Sequence, residues 1–131
     1  MWITSKIGDI KNQFKWFIQR GKRGYSDMDL WEIDTWFSTV FADMLRDFSK
    51  NARDYPPSLN GSDPNVIFSS HAIPEEKNSK ELLAWKAEIN RMADLFESTR
   101  HSCGSTATPD KIQCRDEALE MLRKYYFDLW C

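Results

Sequence analysis

"ELLAWKAEINRMADLF", Glu81–Phe96, decides the fold class. Leu82, Trp85, Ile89, Met92 and Phe96 recur at steps of three and four, so they line one face of an α-helix. A helix with one apolar face is stable only when that face is covered, so the chain must supply other helices to pack on it. Asn78 and Glu81 suit the start of this helix, and "TRHSCGSTATP" ends it.

Outward from that segment, three more helices are expected. Downstream, Thr108 with Pro109 reads as the N-cap and first position of a fourth helix, with Ile112, Leu119, Leu122, Tyr126 and Leu129 on its apolar face. The closing "KYYFDLWC" is aromatic, and an aromatic end is expected to dock. Upstream, a helix beginning after Ser26 carries Leu30, Ile33, Phe37, Val40, Phe41, Met44, Leu45 and Phe48. Ser26 and Asp29 form an S-x-x-D start signal for it, and Arg46, Lys50 and Arg53 gather near its end. The first helix is expected from about Ser5 to Arg20, with Ile7, Ile10, Phe14, Phe17 and Ile18 on one face, and "GKRG" stopping it. Residues 51–78 hold Pro56, Pro57, Pro64 and Pro74 and read as a long irregular connection. The expected fold is therefore all-α: about four helices in a compact bundle, one domain over residues 1–131, with the irregular loop between helices 2 and 3.

Composition excludes several function classes. The net charge is −2, so no global basic field draws the chain to nucleic acid or acidic lipid. The three cysteines are widely spaced, with no CxxC, which supports neither a disulfide framework nor a zinc site and fits a reducing cytosol. "MWITSKIGDIKNQ" is too polar for a signal peptide, and no apolar run approaches a membrane span. The expected location is cytoplasmic, with no membrane partner and no cofactor. His71 and His101, the only histidines, fall in separate loops, and no catalytic motif is present, so no catalytic residues are assigned.

Charge is unevenly placed. Residues 1–24 carry Lys6, Lys11, Lys15, Arg20, Lys22 and Arg23 against Asp9, whereas residues 25–49 carry Asp27, Asp29, Glu32, Asp34, Asp43 and Asp47 against Arg46. The two runs meet in "RGKRGYSDMDLW", Arg20–Trp31. The acids lie on different sides of a helix, which suits the N-terminal dipole better than a metal. Arg20, Arg23, Ser26, Asp27 and Trp31 are the candidate ligand-binding residues. Cations beside a helix start attract a phosphate, and a Trp can stack on a base. The competing reading pairs Arg20 and Arg23 with the neighbouring acids and makes the stretch a locked turn. Trp2, Trp16 and Trp36 fall off every apolar stripe and offer a second interface, so a protein partner or a homo-oligomer is also expected.

The stretch "FKWFIQRGKRGYSDMDLWEIDTWFSTVFADMLRDF", with "YPP", "LLAWKAEINRMADLF" and the closing "LEMLRKYYFDLW", resembles a family of small bacteriophage-encoded proteins. Its most specific piece is R-G-x-S-D-x-D-x-W at Arg23, Gly24, Ser26, Asp27, Asp29 and Trp31; the second is "KYYFDLW". The resemblance implies a phage origin and an accessory role in the cytoplasm of an infected bacterium, and carries over no catalytic residues. The expected function is non-catalytic binding of a host protein or a nucleotide-like ligand, with counter-defence its most concrete form. A nucleic-acid-binding regulator and a virion or assembly component are the alternatives.

Overall fold

A computed structural model describes residues 2–56, 59, 80–102 and 106–129. Among these residues the chain is all-α, with four α-helices and no strand: α1 Trp2–Arg23, α2 Ile33–Asn51, α3 Lys80–Ser98 and α4 Pro109–Tyr125. Short 3₁₀ turns cover Asp29–Trp31 and Tyr126–Asp128. The chain divides into two compact units, residues 1–37 and 38–131. Residues 52–56 follow α2 without regular structure. Apart from Leu59, the rest of the expected connection through Asn78 lies outside the described residues, as do His71, Cys103, Trp130 and Cys131.

In the second unit, α3 is the central helix. All five residues of its expected stripe are buried, and Ala93 joins them. Trp85 is almost wholly buried, between α2 and α4. Its ring meets Tyr125 edge-on, centroids 5.0 Å apart, and Phe48 at 6.5 Å. Phe41 meets Phe96 edge-on at 5.2 Å. Such edge-to-face pairs add to the area term because each ring's positive edge meets a negative face.

The α2 surface against α3 is more polar than its sequence implies. Ser38, Ala42, Leu45 and Ser49 are buried, while Ile33, Val40 and Met44 face out. The serines fit there because each is satisfied across the interface. Ser38 Oγ shares a hydrogen bond with Thr99 Oγ1 at 3.1 Å. Ser49 Oγ donates to Lys86 O at 3.2 Å and accepts from Asn90 Nδ2 at 3.0 Å. Small side chains let the helices approach, and satisfied hydroxyls remove the desolvation cost. Arg46 spans the rim of the same interface, donating to Asp94 at 3.0 Å and to Glu97.

The α4 start is as expected: Thr108 is the N-cap, accepting from Lys111 N at 3.4 Å, with Pro109 following. Lys111 also donates through Nζ to Ser98 O, neutralising a carbonyl at the end of α3. The buried face of α4, however, is Ala118, Met121 and Tyr125. The expected Ile112, Leu119 and Tyr126 are exposed, because the helix docks Tyr125 on Trp85 and that contact sets its rotation. Likewise, among the described closing aromatics Tyr125 alone is buried; Tyr126 and Phe127 face out.

Trp85→Ala should lower unfolding free energy by about 3–5 kcal/mol, the usual cost of emptying a large aromatic site. Arg46→Ala, at an exposed rim, should cost about 1 kcal/mol or less. Urea unfolding measures both; equal losses would refute the central place given to Trp85.

Candidate functional site

The first unit is organised by the sequence that joins α1 to α2. The α1 helix does not stop at Arg20. It continues through Gly21 and ends at Arg23, which places Arg20 and Arg23 on its last turn. Gly24 then takes φ +84°, and its N–H bonds Arg20 O at 2.9 Å. An added Cβ would meet nothing within 4 Å, so the backbone conformation and not space calls for glycine here.

Beyond Gly24 the chain folds back and buries Ser26 completely. Ser26 N donates to Asp29 Oδ2 at 2.7 Å, and Ser26 Oγ to the same oxygen at 2.8 Å. Asp29 N returns a bond to Ser26 Oγ at 3.3 Å. These are the reciprocal bonds of a capping box, as the sequence predicts, but they head the 3₁₀ turn Asp29–Trp31 and not α2. The α2 helix starts later, at Ile33, with Trp36 N bonding Glu32 O at 2.9 Å.

Arg20 grips the other side of Asp29: Nε donates to Oδ2 at 2.9 Å and Nη2 to Oδ1 at 2.6 Å. The planar guanidinium matches the carboxylate in this two-point contact, which a lysine cannot reproduce. Asp27 accepts from Gln19 Nε2 at 2.7 Å and from Arg23, and Lys15 Nζ lies 3.2 Å away. Gln19 also accepts from Asp27 N at 2.8 Å. Arg23 further donates through Nε to Tyr25 O at 3.0 Å and lies over the Tyr25 ring. The Arg20 hydrogen bonds hold the Asp29 carboxyl well below the usual range, aided by the two Ser26 donors. Gln19, Arg23 and Lys15 lower Asp27 to about 2.

Four of the five candidate residues thus fall into two neighbouring clusters: Arg20 and Ser26 meet at Asp29, and Arg23 meets Asp27. Trp31 stands apart from them at the end of the 3₁₀ turn and is 84% exposed. Leu30 and Met28 beside it are also exposed. Gln19 and Lys15 belong to the Asp27 cluster; a contact from a helical Gln to a backbone eight residues later has no local signature. Of the other acids, Asp34 sits in the first turn of α2, where a carboxylate favours the helix dipole. His101 lies in the turn after α3 at φ +56°, away from these residues in sequence and in the other unit.

Chemically, the carboxylates here are fully answered: three cations, Lys15, Arg20 and Arg23, face Asp27 and Asp29, and these bonds hold the turn that carries Trp31. No family model, no curated protein and no solved structure matches the chain. Among the described residues no helix is long and apolar enough to cross a membrane.

The pairing makes the turn acid-sensitive in one direction. Both carboxyls titrate below their unfolded value of 3.8, so their stabilisation is complete above that value. It is lost as pH falls through the folded values, because only the unfolded chain readily takes up the protons. A carboxyl NMR titration should place the Asp27 midpoint at about 2; a midpoint near 3.8 would show the network to be open in solution. Asp29→Ala, which strands the buried Ser26 donors, should destabilise the turn by about 1–3 kcal/mol, read from amide exchange at residues 24–31.

Proposed function

We propose that the chain is a bacteriophage accessory protein that acts in the cytoplasm of an infected bacterium by non-catalytic binding to a host protein, inhibiting an immune effector. The observation that carries the binding mode is the exposure of Trp31 on a turn fixed by charge-assisted hydrogen bonds. An exposed, pre-ordered Trp costs little further entropy on docking and offers a large contact area, which is why Trp is favoured at interface hot spots. In this reading Arg20, Arg23, Ser26 and Asp27 are positioning residues, and Trp31, with Leu30 and Met28, makes the contact. The phage origin rests on the resemblance carried by the R-G-x-S-D-x-D-x-W stretch and the "KYYFDLW" end.

Inhibition of a protein is favoured over capture of a nucleotide signal by the state of the arginines. A phosphate at Arg20 or Arg23 would have to displace Asp29 or Asp27, each already held by further donors. The cost of separating such pairs would come out of the ligand's affinity.

The test is phage plating on a bacterium whose immune effector restricts that phage. Expression of the chain is expected to restore plating, and Trp31→Ala to abolish the effect while leaving the thermal midpoint unchanged. Plating unaffected by Trp31→Ala would remove Trp31 from the interface. A thermal-shift panel of cyclic and linear nucleotides separates the two modes: a rise in midpoint of the purified chain would favour signal capture.

A further inference from the structure

The face of α1 opposite the turn network has a use of its own. At 100° per residue, Ile10, Phe14, Phe17 and Ile18 fall within an arc of about 100°. Lys15, Gln19, Arg20 and Arg23, whose side chains hold Asp27 and Asp29, fall on the opposite side of the helix. Rotation of α1 is thereby fixed with its apolar row outward. Ile10 is 65% exposed, Phe14 65%, Phe17 73% and Ile18 39%. The sequence places this row on one face of the helix; the structure leaves that face exposed and half-buries Trp16 and Gln19 on the other side.

We propose that this face of α1 binds the surface of an anionic lipid bilayer, with the helix lying in the plane of the headgroups. Three observations choose this occupant. First, two cations border the apolar row: Lys11 and Lys22 flank Phe14 and Ile18 in a shallow trough of about 490 Å³, whose far wall is Lys15, Gln19 and Arg23, the residues that hold Asp27. Apolar side chains beside lysines match the acyl-to-headgroup boundary, where lysines reach outward to lipid phosphates. Second, Asp27 and Asp29 are paired with cations on the far side of the helix and do not face the apolar row. Third, a second copy would bring two basic helices together, since Asp9 alone opposes the cations of residues 1–24. The net charge of −2 is no obstacle, because attraction to a bilayer acts within a Debye length of the surface.

The test is co-sedimentation of the full chain with vesicles at low ionic strength. Wild type should bind vesicles of equal parts phosphatidylglycerol and phosphatidylcholine and not pure phosphatidylcholine, and added salt should release it. Phe17→Asp should weaken partitioning roughly tenfold or more, and Lys22→Glu roughly tenfold. Thermal midpoints should be unchanged, since both side chains are exposed. The proposal is overturned if anionic vesicles fail to bind the chain, if neutral vesicles bind it equally, or if Phe17→Asp partitions like wild type. It is also overturned if wild type is a dimer in solution that Phe17→Asp dissociates, because a second copy then covers the row. Trp31→Ala should leave partitioning intact, so this result and that of the plating assay are independent.

Discussion

The Asp29 carboxylate determines what the first unit presents. It accepts two bonds from Arg20 and two from Ser26, so it ties the last turn of α1 to the 3₁₀ turn that follows. A helix of 22 residues with its apolar row uncovered has no packing energy to fix its rotation. Here polar bonds fix it instead. The bonds to Asp27 act on the same side through Gln19, Arg23 and Lys15. One constraint therefore yields two consequences: Trp31 is held in the open, and the Phe14–Phe17 row is turned away from the turn.

The second unit follows a different physics. Its order comes from burial, with Trp85 as the residue that α2 and α4 both meet. Polar bonds there only accommodate close approach: Ser38 and Ser49 are small enough to let α2 near α3, and both hydroxyls find partners. The contrast bears on function. A unit held by burial tolerates exposed charge changes, whereas a unit held by a few charge-assisted bonds transmits the loss of any one of them to the surface it displays.

The sequence was most legible where a stripe had only one way to be covered. The α3 stripe, the Thr108–Pro109 start of α4 and the irregular exit from α2 at residues 52–56 are all as read. On α4 the face is misplaced because Ala118, Met121 and Tyr125 outcompete a stripe of larger aliphatics, and the choice depends on Trp85 in another helix. On α2 the serines were invisible as core residues, since their partners Thr99, Lys86 and Asn90 lie some forty to sixty positions away. On α1 periodicity was right about amphipathicity and silent about which face is covered. At the candidate site the residues were found, but their roles were not: the same five residues serve a phosphate pocket or a locked turn until the donors of Asp27 and Asp29 are known.

The segregation of charge along residues 1–49 takes on a different meaning once those donors are known. Read as a linear pattern, it pits a basic helix against an acidic one. In three dimensions Lys15, Arg20 and Arg23 are matched by Asp27 and Asp29 within the first unit. Asp43 and Asp47 find Arg46 and Lys50 on their own helix. Those pairs do not include Lys11 and Lys22, which lie beside the exposed row of α1. A cation pair next to uncovered phenylalanines is costly to a protein that gains nothing from it, because such a surface invites non-specific association. In the bilayer proposal Lys11 and Lys22 meet the anionic headgroups while the uncovered row meets the acyl boundary, so one surface answers both features.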